Sequence, residues 1–116
     1  MYQVYLADHF LRQLKSFLKK YRNLETDLVS TLQSFSLETT QHLGQKLYKV
    51  RLKSSDIPRG KNKAFRLIVF ILEVRSTIVP ITLYFKGDRA NISAKEIEYH
   101  LAMILVDIQK KKYLSK

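Results

Sequence analysis

The sequence predicts an α+β fold in a single domain, residues 1–116: a small antiparallel sheet with an N-terminal helical hairpin before it and a C-terminal helix after it, in the order β-α-α-β-β-β-α. Three observations predict it. Apolar residues recur at helical spacing through the first third and again after residue 93. They alternate or run together in three short segments between 47 and 86, and Pro or Gly punctuates the joins. With 116 residues, 46% of them hydrophobic, the chain is long enough for one core and too short for two.

The opening YQVYLA alternates as a short strand, and Asp8 stands where a helix N-cap is expected. Phe10, Leu11, Leu14, Phe17, Leu18 and Tyr21 then share one stripe, with Arg12, Lys15, Lys19 and Lys20 off it. A second helix is expected from Asn23, burying Leu24, Leu28, Leu32 and Phe35, so that the two form a hairpin. Residues 36–46, SLETTQHLGQK, are polar and aperiodic and read as a connecting loop. Strands are expected over 47–54, 63–73 and 77–86; the first two flank SDIPRGKN, whose Pro58 and Gly60 mark a loop, and residues 73–77 are a hairpin connection. Pro80 has no N–H for a ladder and implies a bulge or an edge. Ser93-Ala-Lys-Glu96 fits a capping box. Ile97, Leu101, Ile104, Leu105 and Ile108, widened by Met103 and Val106, form the stripe of a closing helix that frays into KKKYLSK.

Composition excludes several function classes. Without cysteine there is neither a disulfide framework nor a thiolate metal site, and His9, His42 and His100 lack metal-ligand spacing, so no metal and no cofactor are expected. The N-terminus lacks the build of a secretion signal, and the nearly apolar run Leu67 to Leu72 is far shorter than the roughly 20 residues that span a bilayer. The expectation is a cytoplasmic protein with no membrane partner. Its net charge of +11, from 21 Lys and Arg against 10 Asp and Glu, favours an anionic partner, whether nucleic acid, a membrane surface or an acidic protein that masks the charge, and composition alone does not choose among them.

The charge is concentrated. KVRLKSSDIPRGKNKAFR, residues 49–66, carries seven basic side chains and one acid. Strand alternation puts Lys49, Arg51 and Lys53 on one face and Tyr48, Val50 and Leu52 on the other. Arg66 sits among the aliphatics of AFRLIVFIL, and Tyr84 and Lys86 share a face opposite Leu83 and Phe85. Paired in register, the strands display Lys49, Arg51, Arg66, Tyr84 and Lys86 away from the helices, rimmed by Arg59, Lys61 and Lys63. Solvated charges on an open sheet face would account for the lysines but not for Arg66, because a guanidinium in an apolar strand is costly unless an anion or a carboxylate meets it. A phosphodiester fits: Arg for bidentate contact, Lys for point charge, Tyr for stacking or proton transfer. Asp56 and Asp88 read as turn formers, Glu96 as the capping partner, and His42 and His100 as structural.

Taken together and in this order, YKVRL, RGKNKAFRLIVF and ITLYFKGDRANIS leading into a helix resemble the RelE/ParE superfamily of toxins from type II toxin-antitoxin systems, nearest to its RelE and HigB-like branch, over nearly the whole chain. The resemblance implies a RelE-like toxin domain that cleaves mRNA in the ribosomal A site, an endoribonuclease or mRNA interferase that inhibits translation. The implied partners are a cognate antitoxin protein and mRNA on the ribosome, with its ribosomal RNA. Lys49 and Arg51 would contact the scissile region, Arg66 would stabilise charge on the reacting phosphate, and Lys86, with Tyr84 or Arg89, would supply a further cation. Lys53, Arg59, Lys61, Lys63 and Arg89 would bind RNA. Residues 91–96 carry no tyrosine, a departure from the best-known members.

RNA brings its own nucleophile, the 2′-hydroxyl, so the protein must only remove that proton, stabilise the phosphorane and protonate the departing 5′-oxygen, and no metal is required. Lys49, flanked by Arg51 and Arg66, is the candidate base, Arg66 the transition-state clamp, and Lys86 or Tyr84 the acid. The alternative keeps the fold without the chemistry: a ParE-like gyrase-binding toxin, or a catalytically inactive binding-only homologue. The stripe of the last helix suits an acidic amphipathic antitoxin segment as well as closure of the core.

Overall fold

The elements run β1 (Gln3–Val4), α1 (Asp8–Leu18), α2 (Leu24–Gln33), β2 (Gln41–Gly44), β3 (Leu47–Leu52), β4 (Phe65–Leu72), β5 (Thr77–Phe85) and α3 (Ala94–Leu114), in a computed structural model that describes residues 2–57 and 64–114. The architecture is α+β, with five strands in one sheet ordered β1-β5-β4-β3-β2. β3, β4 and β5 form an antiparallel meander, β2 adds antiparallel to β3, and β1 adds parallel to β5 through Gln3 and Val4 opposite Thr77 and Ile78. β2 lies within the stretch 36–46 expected to be a connecting loop; its residues 41–44 form an edge strand, where three of the four side chains are exposed and no apolar alternation is needed. The opening strand is shorter than YQVYLA suggests, and Pro58, Arg59, Gly60, Lys61 and Lys63 lie outside the described residues.

Register decides what each face of the meander carries. Phe65, Leu67, Val69 and Ile71 of β4 align with Phe85, Leu83, Pro80 and Ile78 of β5, while Arg66 and Ile68 align with Tyr84 and Thr82. Ile81 is the extra residue of a bulge, beside the proline that cannot donate. Gln13 of α1 occupies that irregularity. Its Nε2 donates to the Ile81 carbonyl at 3.0 Å and its Oε1 accepts from the Thr82 hydroxyl at 2.6 Å, so backbone polarity freed by the bulge is met by a side chain.

The first of these faces receives the helices. Phe65, fully buried, meets Phe17, Tyr21 and Phe85 at centroid distances of 5.1, 5.0 and 5.2 Å, the first two edge-on. Phe10, Leu14, Leu24, Leu28 and Leu32 complete the helical side of the core, at the positions their spacing predicts. α1 packs against α2, α3 and β5. Ala7 stands at its N-cap and Asp8 falls inside the first turn, where its charge faces the helix N-terminus rather than capping it. α2 does begin after Asn23, and its start is tied to the chain beyond β3: Asp56 accepts from the Asn23 backbone N–H at 2.9 Å and from Asn23 Nδ2 at 3.0 Å, while Asp27 accepts from the Ser55 N–H and hydroxyl at 2.8 and 3.0 Å. Asp88 also lies in a turn, its N–H donating to the Phe85 carbonyl at 3.0 Å.

The capping box forms as read. Glu96 N–H donates to Ser93 Oγ at 3.1 Å, and Glu96 Oε1 accepts from the Ser93 N–H at 3.4 Å. α3 then continues through the basic residues to Leu114 instead of fraying before them, since Gln, Lys and Leu are strong helix formers. Of its stripe, Ile104 is buried and Ile97, Leu101 and Ile108 are half-buried against the core. Leu105 and Val106 remain 45% and 42% exposed.

Candidate nucleic-acid interface

Because β3 and β4 pair in the register Lys49↔Ile68, Val50↔Leu67 and Arg51↔Arg66, and β4 pairs Arg66↔Tyr84, three polar side chains cross the sheet in one row: Arg51, Arg66, Tyr84. Lys49 lies on the same face two residues before Arg51. Val50 and Leu52 turn to the core, as alternation requires. The charges are not displayed evenly. Arg51 is exposed, Lys49 and Arg66 are half-buried, and Tyr84 is only 4% exposed, so the expected open face is covered on its β5 side. That cover includes residues 89–92, which reach Tyr84 and Lys49 through Asn91 and Arg89.

Two guanidinium groups directly opposite one another on neighbouring strands repel. Arg66 has one hydrogen bond, Nη1 to its neighbour's carbonyl on Phe65 at 3.4 Å, and neither Arg51 nor Arg66 makes an ion pair among the described residues. The deep burial that the sequence suggests for Arg66 is absent: the residue is half-buried, so its lack of a carboxylate partner costs less than it would in the core.

Beside this row the side chains interlock. Lys49 Nζ lies 6.0 Å from the centre of the Tyr84 ring and donates to Asn91 Oδ1 at 3.0 Å. The Tyr84 hydroxyl approaches the same oxygen at 3.5 Å, and the Arg89 guanidinium sits 5.8 Å from the ring. Arg89 is not free to bind an anion. Its Nη1 and Nη2 donate to the two carboxylate oxygens of Glu96 at 2.9 and 2.7 Å. Hydrogen bonding to Arg89, with help from Ser93, brings the Glu96 carboxyl down to about 2, and the same pair raises Arg89. Glu96 therefore does more than the capping role read from the sequence. Lys53 and Lys86 are exposed beyond the ends of β3 and β5, and the Lys86 N–H donates to the Ala64 carbonyl at 2.9 Å. The structure thus brings Lys49, Arg51, Arg66 and Tyr84 together, leaves Lys53 and Lys86 at the margins, and neutralises Arg89; Arg59, Lys61 and Lys63 lie outside the described residues.

Asn91 was missed as a member of this cluster, since a lone Asn before a capping box reads as loop chemistry. So was the pairing of two distant histidines. His9 of α1 and His100 of α3 meet ring to ring, Nε2 to Nδ1 at 2.8 Å, with the Tyr99 ring against both. Burial lowers the proton affinity of each. Arg12 adds to this at His9 and His9 adds to it at His100, while Asp107 and Glu96 respectively oppose it. His42, expected in a loop, lies on β2 and stacks on Tyr48 at 4.7 Å. No group of three or more His, Cys, Asp or Glu side chains suited to a metal occurs among the described residues, and no helix there is long and apolar enough to cross a membrane.

No family model matches the chain, and no curated protein matches it. Among solved structures it is similar to the intact Escherichia coli RelBE toxin-antitoxin complex, at 21% identity and a TM-score of 0.47, over 72% of this chain and 94% of that one. It is also similar to a double arginine-to-alanine variant of the E. coli toxin RelE in the free state, at 20% identity and a TM-score of 0.49, over 85% of this chain and 92% of that one.

Proposed function

We propose that this protein is the toxin of a toxin-antitoxin system and acts as a ribosome-dependent mRNA endonuclease that needs no metal, a soluble enzyme of the cytoplasm in which 1–116 form one toxin domain. The observation that carries the reading is the unpaired guanidinium row, Arg51 opposite Arg66, with Lys49 and Tyr84 against it. Such a row is unfavourable until an anion lies across it, and a phosphodiester supplies one.

On that reading the RNA 2′-oxygen attacks phosphorus as its proton passes to Lys49. Arg66 and Arg51 hold the negative oxygens of the phosphorane, and the P–O5′ bond breaks as O5′ takes a proton from Tyr84 or Lys86. The products are a 2′,3′-cyclic phosphate and a 5′-hydroxyl. Lys53, Arg59, Lys61 and Lys63 would follow the strand, and Arg89 would act through Glu96 and Tyr84 rather than on phosphate. An antitoxin with an acidic amphipathic segment would cover both the cationic row and the exposed Leu105 and Val106 of α3.

Primer extension on mRNA from a reconstituted translation extract tests this directly. Breaks within translated codons, formed by wild type and lost with Arg66→Ala, are the expected result. Intact mRNA in an extract whose host cells are nevertheless arrested by the wild-type protein would refute cleavage and make gyrase the target to assay.

A further inference from the structure

We propose that Asn91 is a positioning residue that fixes the Lys49 amine against Tyr84, an inference that rests on the RNA-cleaving reading of this site. Lys49 has a long flexible stem and stands on a sheet face with no carboxylate partner among the described residues. Left to itself such an amine samples many positions. Here one oxygen holds it: Asn91 Oδ1, which also accepts from the Ile92 backbone N–H at 2.9 Å.

Asn91 is itself fixed from both sides. The bond to Ile92 orients its amide, and its backbone carbonyl accepts from Arg89 Nε at 2.9 Å, so the fork between Arg89 and Glu96 carries the restraint on to the first turn of α3. A chain of local bonds thus runs from the capping box to the amine: Ser93 to Glu96, Glu96 to Arg89, Arg89 to Asn91, Asn91 to Lys49.

The residue type matters as much as the position. An amide oxygen accepts from lysine in either protonation state and leaves the site's positive charge undiminished. A carboxylate at 91 would hold the lysine as an ammonium ion and repel a phosphate arriving at Arg51 and Arg66. The Tyr84 hydroxyl, at 3.5 Å from an oxygen already taken by two closer donors, keeps its proton available for another acceptor.

The test compares wild type, Asn91→Ala and Asn91→Asp, with two readouts. The first is the lysine side-chain 15N spectrum, in which Lys49 is identified by Lys49→Arg. A held amine gives a distinct slowly exchanging signal; it is expected in wild type, lost in Asn91→Ala and retained in Asn91→Asp, which keeps the acceptor. The second is single-turnover cleavage of an mRNA fragment on stalled ribosomes. Asn91→Ala is expected to slow it about tenfold to a hundredfold with little change in RNA affinity, as misplacement of a reacting group does. Absence of the Lys49 signal in the wild type, or its persistence in Asn91→Ala, overturns the proposal whether or not RNA is cut. A wild type that shows the signal but cuts no RNA overturns the catalytic reading alone, and a rate unaffected in Asn91→Ala shows that the contact positions nothing.

Discussion

Glu96→Gln is the perturbation that examines the charge arrangement of the site most directly. In the native chain Arg89 lies 5.8 Å from the Tyr84 ring but spends both Nη groups on Glu96. Glutamine keeps the oxygen that the capping box requires, so α3 still starts at the same place. What changes is one full positive charge released beside the row of Arg51 and Arg66. For single-stranded RNA each phosphate neutralised contributes a slope of about −0.7 in log K against log salt. The variant is therefore expected to bind more tightly at low salt and to show a slope steeper by about 0.7 than wild type. Over a fourfold rise, from about 50 to 200 mM, that is an additional loss of affinity of roughly 2.5-fold. Fluorescence anisotropy with a labelled single-stranded RNA oligonucleotide at several salt concentrations measures it, and Arg51→Ala, shallower by about 0.7, is the opposite control. Because only differences in slope are compared, the number of other cations engaged does not enter. Parallel lines for wild type and Glu96→Gln would refute the neutralisation of Arg89, and parallel lines for wild type and Arg51→Ala would refute RNA binding across the row.

Phe65→Ala removes a fully buried ring with three aromatic neighbours directly beneath Arg66, and a loss of about 3–5 kcal/mol in urea unfolding is expected. A loss below about 1 kcal/mol would mean that the helices do not close on this face. The His9 and His100 pair makes stability fall on mild acidification. Both take up protons below the usual 6.5 when folded, so their contribution is complete above that value and is lost as the pH falls through it toward the lowered values. Urea midpoints at about pH 7.5 and 5.5 should differ in wild type and converge in His9→Gln/His100→Gln, and equal wild-type midpoints would refute the buried pair. A second decline is expected between 4.5 and about 2 from Glu96, whose carboxyl stabilises the fold only while ionised, and Glu96→Gln should abolish it.

The parts of this fold that were legible in the sequence are those written in neighbouring residues. The stripe of Phe10, Leu14 and Tyr21, the alternation of YKVRL and the box of Ser93 and Glu96 are all local patterns, and each lies where its spacing puts it. Pro80 announced a bulge or an edge for a covalent reason, its missing N–H, and a bulge is what forms. Lys49 and Arg51 could be assigned a common face from parity alone, and Arg66 joined them only on the assumption that the strands pair in register. That Arg51 and Arg66 stand directly opposite depends on register across a loop, and parity is silent on that. Tyr84 was on the right face and at the wrong depth, because its cover comes from residues 89–92. Asn91 and the meeting of His9 with His100 share one cause: each is defined by a partner far away in the chain, 42 and 91 residues away respectively. β2 pairs with the next strand and was missed because its exposed edge needs no apolar alternation.

The parallel pairing of β1 with β5 has a consequence for how the chain is made. Gln3 pairs with Thr77, and α1 finds two of its packing partners in β5 and α3, all encoded late. The intervening 74 positions (77 minus 3) take roughly 4–15 s to synthesise at about 5–20 residues per second, and folding cannot close before them. During that interval Phe10, Leu14 and Phe17 have no sheet to cover, and the nascent N-terminal half is open to any chaperone or protease at the tunnel exit. Ribosome-bound chains stopped at residue 70 should be cut by added protease within the helical hairpin, and full-length chains extended by an unstructured linker should resist; equal resistance would mean that the hairpin folds without its sheet. The last strand of the sheet thus sets the time at which the first becomes safe.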